Sequence, residues 1–186
     1  MKPAIFLDRD GTLNPDPGYI SNPDDFELFP KVAHALKKLK DAGYLLILIT
    51  NQSGIARGLI THDQLDAVHD KLKKRLAESD TSLDAIYFCP HHPDFPDKNG
   101  VSVCNCRKPA PGMILQALKD FDIDKQNSFM IGDKLSDIKL AFNTGLTPIL
   151  IAEKPMPGFE QVKNFPTFKL ASEWIVDTKN NNIKVS

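Results

Sequence analysis

Residues 4–12 read AIFLDRDGT. Four apolar side chains run without a break into two carboxylates, Asp8 and Asp10, which flank an arginine and precede a glycine and a threonine. An unbroken apolar run of this length reads as a strand buried on both faces, as strands inside a parallel sheet are. The charge that begins directly after Leu7 then marks the carboxyl end of that strand, where open parallel sheets bind their ligands.

Further runs of the same kind follow along the chain: YLLILI at 44–49, AIYF at 85–88, SFMI at 128–131 and ILI at 149–151. Between them the pattern is helical. Val32, Ala35, Leu36 and Leu39 make one stripe, closed by Gly43 at a left-handed C-cap position. Thr61 and Gln64 have the spacing of a capping box and lead into Leu65, Val68, Leu72 and Leu76. A third helix starts near Pro111 and carries Ile114, Leu118 and Phe121. A fourth carries Leu135, Ile138 and Phe142 and stops at Gly145. Strand and helix alternate throughout, so the fold class is α/β, a Rossmann-like central parallel sheet flanked by helices, and residues 1–186 are expected to form a single domain. Pro148 places the ILI strand near a sheet edge, because proline cannot donate to the ladder. The segment after about residue 152 has a mixed pattern and gives no assignment.

The 23 basic and 24 acidic residues nearly cancel, which removes the electrostatic case for nucleic acid or an anionic membrane as partner. The run KLKKR at 71–75 fits a helix with one solvated face. No apolar stretch approaches the roughly 20 residues that span a bilayer, and the opening MKPAIFLDRD meets charge too early for a secretory signal. The expected location is the cytoplasm. No apolar stripe is left over for a partner chain, so the expected state is a monomer.

The segments that follow the strands belong together. They are Asp8-Arg9-Asp10-Gly11-Thr12, Thr50-Asn51-Gln52-Ser53-Gly54, Arg107-Lys108-Pro109 and Gly132-Asp133-Lys134-Leu135-Ser136-Asp137. Singly, each has a plain reading as a turn, a strand-end cap, a solvated lysine or a helix N-cap. A calcium loop is excluded, because counting from Asp8 the sixth and twelfth positions hold Leu13 and Tyr19 instead of glycine and glutamate. Taken together they supply what phosphoryl transfer needs. Asp8 can attack phosphorus and form an acyl phosphate. Asp10 can protonate the leaving oxygen and later take a proton from water. Asp8 and Asp133, with the backbone carbonyl of Asp10, make an all-oxygen site suited to Mg²⁺. Thr50 and Lys108 hold the phosphate oxygens. The chain has neither GxxxxGK[ST] nor G-x-G-x-x-G, so a nucleotide cradle of either kind is not expected.

Residues 89–109, CPHHPDFPDKNGVSVCNCRKP, contain all three cysteines and two of the five histidines. In a reducing compartment such clustering favours metal over disulfides. Cys89, Cys104 and Cys106 with one histidine form a closed four-ligand set, which suits structural zinc, since a catalytic zinc keeps a position open. Spacing admits His91 or His92, and His91 repeats the one-residue gap of the Cys104–Cys106 pair.

With these residues in hand, the chain resembles the haloacid dehalogenase (HAD) phosphohydrolase superfamily, whose pattern is DxDGT, a strand-end Ser/Thr, a lysine and GDxxxD. Only 37 residues separate Thr12 from Thr50, too few for a large cap domain, so a capless member is implied. The stretches FLDRDGTLN, GYI, ITNQSGIARG, CPHHP, CNCRKPAPGM and MIGDKLSD are similar to those of the D-glycero-D-manno-heptose 1,7-bisphosphate 7-phosphatases. The histidinol-phosphate phosphatases share DRDGT and CRKP but lack the SGIARG run and have a shorter segment between the C-x-H and C-x-C pairs, which here, from His91 to Cys104, is 12 residues long. The resemblance implies a Mg²⁺-dependent phosphatase acting on a small sugar bisphosphate in the pathway to bacterial surface glycans. It implies substrate contacts at Asp16, Gly18, Tyr19, Asn51, Gln52, Ser53, Arg107 and Lys134, with Arg107 gripping the phosphate that is not cleaved. It also selects His91 as the zinc ligand of a structural loop at 89–106. Histidinol-phosphate hydrolysis is the alternative activity. A non-catalytic zinc-containing binding module is a further one, although Asp94, Phe95, Asp97 and Lys98 show no basic or aromatic face for it.

Overall fold

The computed structural model describes residues 1–96 and 104–183; Asp97 and Lys98 of the cysteine loop lie outside the described residues. The elements in chain order are β1 (Ala4–Leu7), α1 (Val32–Asp41), β2 (Leu45–Asn51), α2 (His62–Ala77), β3 (Ala85–Cys89), α3 (Gly112–Asp120), β4 (Phe129–Gly132), α4 (Leu135–Thr144), β5 (Thr147–Ile151), β6 (Lys163–Phe165) and α5 (Phe168–Ile183). All strand pairs are parallel, and the six strands lie in the order β3-β2-β1-β4-β5-β6. Chain order reverses between β1 and β4, so a crevice opens at their carboxyl ends.

The pleat divides the core in two. Ile5, Leu7, Leu46, Leu48 and Ile131 face one way, against Leu36 and Leu39 of α1, Val68 and Leu72 of α2, and Phe168, Ala171 and Ile175 of α5. Ala4, Phe6, Ile47, Ile49 and Met130 face the other way, against Met113 and Ile114 of α3 and Leu140 and Ala141 of α4. Alternate residues of one apolar run therefore enter different cores, as a doubly covered sheet requires. Residues 13–49 contain a short 3₁₀ turn, α1 and most of β2, with no inserted cap. The capping box at Thr61 and Gln64 is formed in both directions. Lys73, Lys74 and Arg75 of the basic run are exposed while Leu72 is buried.

The ILI strand enters near an edge as expected: it lies beside the edge strand β6, which pairs with it only from Ile149 onward, so the missing N–H of Pro148 breaks no bond on that side. Two expectations change. The edge opposite β6 is β3, whose Ala85–Phe88 are only half-buried although the run is wholly apolar. In α4 the buried face is Asp137, Ile138, Leu140, Ala141 and Thr144. Leu135 and Phe142 are exposed, and Phe142 stacks on Phe159 with ring centroids 6.1 Å apart. The segment after 152 forms β6 and α5, which complete the sheet and one of its helical layers.

Candidate active site

The ends of β1, β2 and β4 bring the acidic and hydroxylic residues to the crevice, and the segment leading into α3 brings Lys108. Two glycines allow the carboxylates to pack this closely. Gly11 has φ +86°, a left-handed conformation, and a Cβ there would strike the carboxylate of Asp133. A Cβ on Gly132 would strike the carboxylate of Asp137.

Lys108 is 3% exposed, and its Nζ lies 2.8 Å from Asp8 Oδ1 and 2.7 Å from Asp137 Oδ1. Both contacts are close ion pairs out of solvent. Burial alone would lower the Lys108 pKa, but Asp137 and Asp8 outweigh it and raise the value. Burial, and then the charge of Asp137, push Asp8 up to about 7 against the opposing pull of Lys108. Asp133 is raised too, first by burial, with Asp137 adding to it. Ligand oxygens of Asp8, Asp133 and Asp137 lie within 4.8 Å of one another. Three carboxylates around one ammonium leave an excess of buried negative charge, so the donor set fits a hard divalent cation. Asp137 is already committed: its Oδ1 faces Lys108, and its Oδ2 accepts the Lys134 backbone N–H at 3.1 Å as the N3 residue of α4. That leaves Asp8 and Asp133 as the carboxylates free to bind metal. Asp137 was not among the expected site residues. It is the last residue of GDKLSD, and the six-residue motif was its only signal.

Asp10 has a different environment. Its two oxygens accept from Arg9 Nε at 2.9 Å and Arg9 Nη2 at 2.8 Å, and also from Asn14 Nδ2 at 2.9 Å and Gln52 Nε2 at 2.9 Å. Burial would raise its pKa, but the Arg9 guanidinium overrides it and holds Asp10 below the usual carboxylate range. Its carboxylate is not part of the Asp8–Asp133–Asp137 group. Thr50 is buried at the end of β2, and its Oγ1 accepts from Gln52 Nε2 at 2.9 Å.

A cavity of about 520 Å³ at β3 and α3, and one of about 810 Å³ between α2 and β3, lie away from these groups. The cavity at the strand ends measures about 360 Å³ and is lined by Asp10, Lys108, Ser136 and all eight residues expected to touch substrate: Asp16, Gly18, Tyr19, Asn51, Gln52, Ser53, Arg107 and Lys134. Several of them also brace one another. Asn51 Nδ2 donates to the Lys108 carbonyl at 3.2 Å and its Oδ1 accepts the Lys108 N–H at 3.0 Å, a two-bond clamp between β2 and the lysine. Lys134 Nζ donates to Asp16 Oδ2 at 2.7 Å, and Asp16 Oδ1 accepts the Gly18 N–H at 2.9 Å. Arg107 donates to the His91 carbonyl at 3.1 Å and pairs with no carboxylate among the described residues.

Cys89, His91, Cys104 and Cys106 converge with ligand atoms within 4.8 Å of one another. Cys89 Sγ is 3.1 Å from Cys106 Sγ and 3.6 Å from Cys104 Sγ, and His91 Nδ1 is 3.3 Å from Cys106 Sγ. All three cysteines are free. Ligands arranged tetrahedrally around zinc at about 2.0–2.3 Å sit about 3.3–3.8 Å apart; the Cys89–Cys104 and His91–Cys106 separations fall in that range and the Cys89–Cys106 separation is slightly shorter, so three sulfurs and one nitrogen form a donor set that could hold zinc. His92 turns elsewhere, with Nε2 2.9 Å from Arg57 Nη2 and Nδ1 accepting the Asp94 N–H at 3.1 Å.

Residues 105–156 match the HAD-hyrolase-like family model. The chain is 42% identical over 178 residues to the D-glycero-beta-D-manno-heptose-1,7-bisphosphate 7-phosphatase of Yersinia pestis, covering 95% of this chain and 90% of that protein. It is 49% identical over 139 residues to the enzyme of the same name from Photorhabdus laumondii, covering 75% of this chain and 74% of that one. Among solved structures, the D,D-heptose 1.7-bisphosphate phosphatase from B. bronchiseptica complexed with magnesium and phosphate superposes with a TM-score of 0.81 at 33% identity, over 95% of this chain and 99% of that one.

Proposed function

From the premise that this chain belongs to the D-glycero-beta-D-manno-heptose-1,7-bisphosphate 7-phosphatase family of HAD-like hydrolases, we propose that it removes the 7-phosphate of that heptose bisphosphate. The observation that carries the reading is the cation content of the strand-end cavity. Beside Lys108 it presents Arg107 and Lys134, and the Arg107 guanidinium has no carboxylate partner among the described residues. One phosphate, already served by Lys108, does not need an additional unpaired guanidinium, whereas a bisphosphate does. Neither histidinol phosphate, which has a single phosphate, nor a non-catalytic binding role accounts for it, and the relatives' names favour the heptose substrate over both.

In this mechanism an Asp8 carboxylate oxygen attacks phosphorus as the bond to the sugar oxygen breaks, giving an acyl phosphate. Asp10 delivers a proton to the departing oxygen. In the free protein Arg9 keeps Asp10 ionised, so its acid form depends on the negative phosphate arriving beside it. After the sugar leaves, Asp10 takes a proton from the water that attacks the acyl phosphate, and Asp8 is restored. Lys108 and Thr50 hold the non-transferred oxygens. Asp8, Asp133 and the Asp10 carbonyl would hold Mg²⁺, which when bound offsets charge between carboxylate and phosphate. Cys89, His91, Cys104 and Cys106 would hold a structural zinc. The reading includes a monomer in the cytoplasm with no nucleic-acid or membrane partner, and among the described residues no helix is long and apolar enough to cross a membrane. The test is kcat/KM for the heptose 1,7-bisphosphate against histidinol phosphate with Mg²⁺ present. The heptose should be preferred and should release one phosphate per molecule; a preference for histidinol phosphate would overturn the assignment.

A further inference from the structure

The resemblance implies that Gln52 touches substrate, but its hydrogen bonds run between protein groups. Gln52 is 5% exposed, and both hydrogens of its Nε2 are in use, one to Asp10 Oδ2 at 2.9 Å and one to Thr50 Oγ1 at 2.9 Å. A hydroxyl that accepts a hydrogen bond in this way must turn its own hydrogen elsewhere. The Thr50 side chain is 99% buried by the remaining structure, at 1% exposure, and its hydrogen has no acceptor among the described contacts.

We propose that Gln52 is a positioning residue that joins the acid/base Asp10 to the phosphate-holding Thr50. By donating to Thr50 Oγ1 it leaves the threonine hydroxyl's own hydrogen to be donated, and a phosphate oxygen is a partner that can accept it. By donating to Asp10 Oδ2 it fixes the plane of that carboxylate, with Arg9 and Asn14 holding the other side. One amide thus sets two groups that act on the same phosphoryl group, and it does so before substrate arrives, which is the condition for low reorganisation during the reaction. The Gln52 backbone N–H is itself pinned to the Cys89 carbonyl at 2.8 Å, so the amide projects from a backbone anchored to the cysteine cluster. This inference rests on the proposed mechanism for Asp8, Asp10 and Thr50.

Two substitutions separate positioning from substrate contact. Gln52→Met keeps the volume and removes both hydrogen bonds. Gln52→Glu keeps the shape but accepts where the amide donates, so the Thr50 hydroxyl turns inward and Asp10 meets a like charge. With the heptose bisphosphate, Gln52→Met should lower kcat by about ten- to a hundredfold with KM changed by less than about threefold, and Gln52→Glu should lower kcat further. In a Thr50→Val background the extra loss of Gln52→Glu over Gln52→Met should shrink, because the hydroxyl it misdirects is gone. Melting temperatures and bound zinc, measured on each variant, should stay close to wild type. A raised KM with unchanged kcat would make Gln52 a substrate contact and overturn the proposal, and so would an unchanged penalty in the Thr50→Val background. Failure of the wild-type protein to hydrolyse the bisphosphate would instead count against the proposed function.

Discussion

At the scale of single residues, the site is organised around a buried charge that the protein alone does not neutralise. Asp8 is pushed up to about 7 by burial and by Asp137, while an unfolded aspartate titrates near 3.9. A carboxyl raised on folding contributes stability that is fully present below its unfolded pKa and is lost as pH rises through the folded one. Metal-free protein should therefore lose stability between about pH 4 and pH 7, and Mg²⁺ should raise the melting temperature more at pH 8 than at pH 5. Calorimetry at the two pH values checks this; an equal Mg²⁺ effect at both would contradict it. Asp8→Asn should cut kcat by at least about a thousandfold and flatten the pH dependence of metal-free stability. Asp137→Ala removes a fully buried partner of Lys108 and the N3 cap of α4. Its expected cost is about 3–5 kcal/mol in denaturant unfolding, together with a loss of turnover through Lys108.

At the scale of elements, the cysteine loop and the end of β2 act as supports for the cations. Cys106 immediately precedes Arg107, and Arg107 donates to the carbonyl of His91, so two members of the cluster flank the guanidinium. Outer groups held this way fix the direction of the inner ones. His91→Ala should lose zinc, melt earlier and lose kcat/KM on the bisphosphate, whereas His92→Ala should keep its zinc, as measured by metal analysis after dialysis. Loss of zinc in the second variant and not the first would reverse the assignment. The capping box of α2 offers a contrast: Thr61→Ala should cost about 1 kcal/mol and leave kcat/KM unchanged, because that helix end carries none of the catalytic groups.

At the scale of the whole molecule, strands from Ala4 to Phe165 share one sheet, and α5 closes the layer begun by α1 and α2. We propose that residues 1–186 unfold as one cooperative domain. The single tryptophan, Trp174, lies in α5 against Phe129 of β4 and Phe165 of β6, at 6.3 Å and 5.8 Å between ring centroids. Its fluorescence therefore reports the C-terminal layer, while turnover reports the ends of β1, β2 and β4. Under increasing urea the two signals should fall together; fluorescence lost at a lower concentration than activity would show that the C-terminal layer is a separate unit.

The parallel sheet and most of the groups at its carboxyl ends were legible in the order of the residues alone. In AIFLDRDGT and its counterparts the strand and the residues that follow it are contiguous, so burial and chemistry are written side by side. Tertiary structure alone decided what depends on contacts between distant segments or on the direction of a side chain. Asp137 acquires its role from Lys108, 29 positions earlier, through packing that no local pattern records. His91 and His92 are adjacent, and only ring direction makes one a neighbour of three sulfurs and the other a partner of Arg57. The apolar pattern of α4 gave the wrong phase because Phe142 finds Phe159 on the surface while a carboxylate, Asp137, takes a buried position. β6 is three residues of mixed polarity at a sheet edge, where one side of the ladder is open and burial is partial, so the periodicity that identifies inner strands is physically absent from it.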